Sequence, residues 1–235
     1  MRGPEPTPRD EATHDMVPTP VLREDDAGLC LVWGDQVLRA DYTRMMARLR
    51  RGNLGRELLV RAARVRGSSL CHEGPARAID ATAGMGEDAL LLAAAGFEVR
   101  LYERDPLIAA LVRDGLRRAA LVDELAAIVA RMTFCEENSI EAMAELVGWP
   151  DVVFLDPMFP ERRRRAATKK KLQLIQQLER PCEDEEALLQ AAIQTRPRKV
   201  VVKRPLKGPY LAGVKPSHSL AGKVVRYDCI VPARP

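Results

Sequence analysis

The stretch Phe154 to Arg165, FLDPMFPERRRR, ends an apolar run in a carboxylate, Asp156, follows it with Pro157, Met158, Phe159 and Pro160, and then runs into four arginines. A carboxylate held in a stiff, proline-flanked turn can accept hydrogen bonds from an amino group, and the Pro157 carbonyl is a second acceptor beside it. An exocyclic amine on a base is a weak nucleophile, because its lone pair is delocalised into the ring. A site that uses it must hold the nitrogen in line while accepting its hydrogens, and Asp156 with Pro157 suits that task. Phe159 adds a flat ring able to stack on the base. From Arg162 to Lys171 there are seven basic residues and no acid. Arg162, Arg163, Arg164, Arg165, Lys169 and Lys170 are therefore candidates for phosphates on either side of such a base.

A second constellation lies upstream in IDATAGMGEDALL, residues 79–91, where Gly84 to Ala89 fits the pattern G-x-G-x-x-A. Glycines let a strand turn tightly into a helix and bring backbone close to a cofactor. Glu103 stands seventeen residues after Gly86, at the end of the next apolar run, placed to accept hydrogen bonds from both hydroxyls of an adenosine ribose. This pattern fits any adenosine-containing cofactor, including a nicotinamide dinucleotide. Glu87 and Asp88, however, occupy the first helical turn, where acids would repel a pyrophosphate. S-adenosylmethionine has no phosphate, and its ammonium and sulfonium would be helped by acids such as Asp80 and Asp88. Lys203 and Arg204, in VVVKRP, sit at another strand end on the same rim and are candidates for a phosphate or a base oxygen.

These residues need a frame to position them. From residue 75 onward short apolar strands alternate with helical stretches, which argues for an α/β fold with a doubly wound, mostly parallel seven-stranded sheet. Ligands of such sheets bind at the carboxyl ends of the strands near the switch point. KKKLQLIQQL, residues 169–178, reads as one of the helices. Residues 28–74 read as a small N-terminal appendage: a hairpin around Gly34-Asp35, a helix through TRMMARLRR stopping at GNLG, and a helix with Leu58, Leu59, Ala62 and Val65 on one face. Residues 1–27, with five prolines in the first twenty, read as a flexible segment.

Composition excludes several classes. The 235 residues are 46% hydrophobic and 30% charged, with no run near the roughly 18 apolar residues of a membrane span and no signal-peptide pattern; a cytoplasmic protein is expected. Five scattered cysteines and three isolated histidines suggest neither a disulfide framework nor a metal site. Arg39 to Arg66 holds nine arginines against Asp41 and Glu57, a second stripe suited to a polyanion.

The turn at Asp156 is a variant of the [DN]-P-P-[YF] motif of amino-group methyltransferases, with Met158 in place of the second proline. Together with DATAGMGEDALLLAAAGFEV, ERDPLIAALVRDGL and KVVVKRP, it makes residues 76–205 resemble the bacterial 16S ribosomal RNA (guanine-N2)-methyltransferase J family. The resemblance implies a class I fold and S-adenosylmethionine as cofactor, with methyl transfer to N2 of a guanine in small-subunit rRNA and no metal. It also implies cofactor contacts at Glu87-Asp88, Glu103-Arg104, Asn138-Ser139 and Asp156. The chain departs from the family's pattern at Glu87, where a basic residue is usual, and at Asn138, where Ser is frequent. Three rival readings stay open at this level: an N-methyltransferase of DNA or of a protein amide, a nicotinamide-dependent oxidoreductase, and a catalytically silent RNA-binding module. The nucleotide, the state of the RNA or subunit substrate, and the oligomeric state are not legible.

Overall fold

The computed structural model describes residues 19–65, 73–157 and 184–233. Its centre is a seven-stranded sheet of β4 (Arg77–Asp80), β5 (Glu98–Tyr102), β6 (Met132–Cys135), β7 (Val152–Leu155), β8 (Lys199–Pro205), β9 (His218–Ala221) and β10 (Val225–Ile230), in the spatial order β6-β5-β4-β7-β8-β10-β9. The first five strands in that order are parallel; β10 runs antiparallel to both β8 and β9. The chain leaves β4 toward β5 and β6, then returns to β7 on the other side. The crevice where a ligand is expected therefore opens at the carboxyl ends of β4 and its neighbours. The β7 run Val-Val-Phe-Leu is buried at every position, as a central strand covered on both faces must be.

Helices cover the two faces. α4 (Glu87–Ala94) follows β4, and α5 (Pro106–Ala119) follows β5. The Asp105 carboxylate caps α5 by accepting from the backbone N–H of Leu107 and Ile108, Pro106 takes the first position, and Arg117 and Arg118 face the negative end of the dipole. α6 (Asp123–Val129) and α7 (Ser139–Ala144) flank β6, and α8 (Glu185–Gln194) precedes β8. The apolar side chains of the two faces form two clusters, one on each side of the sheet.

Ahead of the sheet, β1 (Val21–Asp25), β2 (Gly28–Trp33) and β3 (Gln36–Leu38) form an antiparallel meander. The hairpin around Gly34-Asp35 is present. The flexible segment expected over residues 1–27 is corrected at its end, because Val21–Asp25 pairs along its whole length with β2. α1 (Met46–Leu49), α2 (Arg51–Leu54) and α3 (Leu58–Ala63) follow. The break expected at GNLG falls earlier, at Arg50, whose ψ of 134° is extended, while Gly52 to Leu54 stay helical. The helix expected over 169–178 lies outside the described residues.

The N-terminal elements share the sheet's larger apolar cluster: Leu31, Leu38, Tyr42 and Leu59 pack with Leu90, Leu101 and Ile108. Asp114 of α5 adds a polar tie, accepting from Leu29 N at 3.0 Å while pairing with Arg117 and Arg118 at 2.8 and 2.7 Å. Arg118 in turn donates to the Ala40 carbonyl. Gly115, in the middle of α5, is explained by the same contact. A Cβ there would lie 2.6 Å from Ala40 Cβ and 2.9 Å from its carbonyl oxygen, so close approach outweighs the roughly 1 kcal/mol helix cost of glycine.

Candidate active site

The polar residues gather where the topology places a ligand. β4 ends in Asp80, whose side chain is fully buried; Oδ1 accepts from Thr82 N at 3.2 Å and Oδ2 has no hydrogen-bond partner among the described residues. The turn after β4 is tied to both neighbouring strands. Ala81 N donates to the Phe154 carbonyl, Ala83 N to the Tyr102 carbonyl, and Asp156 N to Thr82 Oγ1 at 2.6 Å. Gly84 and Gly86 take φ of 49° and 72°, the left-handed region that favours glycine. The loop is braced from outside by Tyr42, whose hydroxyl donates to the Met85 carbonyl at 3.1 Å; a Cβ on Gly86 would lie 2.7 Å from that hydroxyl.

Glu103, just past β5, is 7% exposed and joins two segments: Oε2 accepts from Gly84 N at 3.0 Å and Oε1 from Asp105 N at 2.8 Å. Each oxygen keeps a further lone pair for a ligand hydroxyl. Burial raises its pKa, opposed by the Asp105 backbone hydrogen bond. Arg104 beside it is exposed. The Asn138 side chain caps α7, accepting from Ile140 N at 3.1 Å and donating to Glu141 at 3.0 Å, and Ser139 is buried at the first position of that helix.

Across the crevice Lys203 of β8 joins two acids, 2.8 Å from Asp88 Oδ2 and 2.7 Å from Asp156 Oδ2. Burial works against the Lys203 ammonium, but attraction to Asp88 and Asp156 outweighs it and holds its pKa well above the ordinary lysine range. Burial raises the Asp156 carboxyl, with Lys203 pulling the other way. Asp80 is raised well above the usual carboxylate range, first by burial and next by the charge of Asp88. Two acids thus pair with one lysine, and Asp80 lies within reach of the same charges. That electrostatic balance invites a further cation and would repel a pyrophosphate. With an unpartnered buried carboxylate oxygen, a glycine loop at left-handed φ and a carboxylate with spare lone pairs, the site suits the ammonium, sulfonium and ribose hydroxyls of S-adenosylmethionine.

Not every candidate from the sequence converges here. Pro157 is buried directly after Asp156. Arg204 is corrected: it is 1% exposed, donates to the Pro209 carbonyl at 2.8 Å and pairs with Glu185 at 3.4 Å, because the strand alternation that turns Lys203 into the crevice turns Arg204 to the opposite face. Lys203 reaches the site, but its charge is directed at two carboxylates and not at an outside phosphate. Phe159, Arg162, Arg163, Arg164, Arg165, Lys169 and Lys170 lie outside the described residues. Among the described residues no group of three His, Cys, Asp or Glu is arranged to hold a metal, and no helix is long and apolar enough to cross a membrane.

A cavity of about 400 Å³ adjoins the acid cluster, lined by Arg48, Arg56, Glu57 and Leu58 of the N-terminal segment and by Glu87, Asp88, Lys203, Val225 and Tyr227 of the sheet and its first helix. The sequence reading had missed Tyr227, Arg56 and the bracing Tyr42. The arginine stripe was visible, but nothing local marked which of its members would reach the crevice.

Comparison with known proteins bears on the fold and the cofactor class. A family model described as "Putative SAM-dependent methyltransferase" matches residues 19–232. Relatives named ribosomal RNA small subunit methyltransferase J include one from Pseudomonas fluorescens strain Pf0-1, 51% identical over 153 residues, which cover 65% of this chain and 59% of that protein. The match thus spans less than two thirds of that relative's length. A relative of the same name from Neisseria gonorrhoeae is 39% identical over 215 residues, covering 90% of this chain and 83% of its own. The crystal structure of a SAM-dependent methyltransferase from Neisseria gonorrhoeae superposes with a TM-score of 0.72 at 33% identity, covering 94% of this chain and 86% of that one.

Proposed function

This chain belongs to the SAM-dependent methyltransferase family that includes the ribosomal RNA small subunit methyltransferases J, and from that premise we propose that it methylates the exocyclic N2 of a guanine in small-subunit rRNA, in the cytoplasm. The observation that carries the reading is the Asp88–Lys203–Asp156 bridge at the carboxyl ends of β7 and β8. It fixes the carboxylate that begins the Asp-Pro turn beside an acid cluster suited to a cationic methyl donor.

When bound, S-adenosylmethionine supplies a methyl group activated by its sulfonium. The chain's own residues do the rest. Glu103 accepts from the ribose hydroxyls while its other lone pairs hold Gly84 and Asp105. Asp80 and Asp88 compensate the positive charge of the amino-acid end. Asp156 and the Pro157 carbonyl accept the two hydrogens of the base amine and keep its nitrogen in line. As the nitrogen gains the methyl it becomes more acidic, and one of its protons passes toward the Asp156 carboxylate, whose orientation is held by Lys203. Phe159 stacks on the base, and the cations from Arg162 onward meet the flanking phosphates. The N-terminal elements, from β1 to α3, act as an RNA-facing appendage to the methyltransferase unit that follows.

Calorimetry with S-adenosylmethionine and with NAD, followed by transfer of labelled methyl to rRNA, duplex DNA and a glutamine peptide, tests this reading. Saturable binding of S-adenosylmethionine and labelling of rRNA alone is the expected outcome. Binding of NAD in its place, or labelling of DNA or peptide in preference to rRNA, overturns it.

A further inference from the structure

The cavity beside the acid cluster is polarised in a way the methyl-donor site does not require. Its outer side carries Arg56, which is exposed, and Arg48, which is held by a two-point pair with Glu57, both contacts 2.8 Å, while keeping 45% side-chain exposure. Among the described residues no carboxylate pairs with Arg56, nor with Arg50 or Arg51 just before it, so the segment from Arg48 to Glu57, with four arginines against one glutamate, brings a net cationic surface to this rim. The inner side is Glu87, Asp88 and Lys203, with Asp156 one ion pair further in. Between rim and floor lie apolar groups: Leu58 and the ring of Tyr227, which is 7% exposed and backed by Phe154 with ring centroids 6.4 Å apart.

A cationic rim, an aromatic wall and an acidic floor match one kind of ligand: a nucleotide whose phosphate stays at the mouth while its amino-bearing base enters. The volume of about 400 Å³ lies within the roughly 300–1,000 Å³ of small-ligand clefts. The geometry points to this cavity as the pocket for the target nucleotide, with Arg56 and Arg48 of the N-terminal helices gripping its phosphate and Tyr227 of β10 lying against its base. The N-terminal helices are then one wall of the acceptor site, and they select the nucleotide that Asp156 receives. The assignment rests on the reading of the chain as an RNA methyltransferase.

The test uses the full chain and four variants, Arg56→Ala, Arg56→Lys, Tyr227→Leu and Tyr227→Phe, each checked for an unchanged S-adenosylmethionine Kd and melting temperature. For Arg56→Ala the KM for rRNA should rise about tenfold, and the slope of log binding constant against log salt should become shallower by roughly 0.7–0.9, the loss of one phosphate contact. Arg56→Lys should restore the slope. Tyr227→Leu should lower kcat/KM for rRNA without touching the salt slope, and Tyr227→Phe, which keeps the ring, should recover most of that loss. If Arg56→Ala and Tyr227→Leu keep the parental KM and salt slope while the parent methylates rRNA, the pocket assignment is wrong and the proposed function stands. If the parent binds S-adenosylmethionine but transfers no methyl to RNA, both fall.

Discussion

Replacing Lys203 by Met removes the ammonium that Asp88 and Asp156 share while keeping a chain of similar length. Lys203 is 25% exposed, and its partners lie 2.8 and 2.7 Å away with 20% and 37% exposure. At an effective dielectric near 20, a unit pair about 4 Å apart is worth roughly 4 kcal/mol. Two such attractions are offset by desolvation of the lysine and by partial solvent screening at Asp156. The net cost should therefore fall below the 3–5 kcal/mol seen when a fully buried pair is broken, at about 2–3 kcal/mol of folding stability. The catalytic consequence has a definite sign. Without the ammonium, burial and the neighbouring acids act on Asp156 unopposed, so its carboxyl keeps its proton to higher pH. A protonated Asp156 accepts poorly from the base amine, so the acidic limb of kcat should move upward in pH, with activity partly recovered at alkaline pH. Single-turnover methyl transfer across pH, with thermal unfolding measured alongside, reads both effects. An acidic limb that superposes on that of the parent would refute the assignment of Lys203 as the group that keeps Asp156 ionised.

Glu103→Ala should weaken S-adenosylmethionine binding by about 1.5–3 kcal/mol in calorimetry, the value of hydrogen bonds to a charged group. It should also lower the melting temperature, because Gly84 N and Asp105 N lose their acceptor. Gly115→Ala gains helix propensity yet should destabilise by about 1–3 kcal/mol in denaturant unfolding, since its Cβ meets Ala40 at 2.6 Å. Asp80→Asn should raise the stability of the ligand-free chain near neutral pH while weakening its hold on S-adenosylmethionine. The raised pKa of Asp80 means the folded chain binds this proton more tightly than the unfolded one. Stability is therefore lost as pH climbs from the ordinary carboxylate value through the folded value, and the amide should flatten that part of the pH–stability curve.

Much of this arrangement was legible before the structure. The uninterrupted Val-Val-Phe-Leu run of β7, the Asp105-Pro106 start of α5 and the glycines after β4 each carry a local physical signature. The alternation of strands with helices was enough for the fold class. What escaped depends on register between distant segments. Lys203 and Arg204 look alike in sequence, and only the strand's alternation, set by pairing with β7 and β10, decides which one faces the crevice. Tyr42 reaches Met85 across 43 residues, and Lys203 reaches Asp88 across 115. Such contacts leave no periodic trace. Asn138 shows the converse: a residue read as a cofactor contact is also a good helix cap, and its side chain serves α7 here. The short β9 and α7 carry too little apolar repeat to mark them as elements in the sequence.

The central claim is methyl transfer to N2 of a guanine in small-subunit rRNA with Asp156 holding the amine, and one measurement reaches it directly. 16S rRNA, free and in small subunits, taken from cells lacking this gene is incubated with the chain and S-adenosylmethionine, then digested and mapped by mass. The expected result is a single N2-methylguanosine at one position, restored by the parent and reduced about a hundredfold in rate by Asp156→Ala at saturating cofactor. Absence of any restored methyl, a methyl on another atom, or restoration at the parental rate by the Asp156 variant would contradict it.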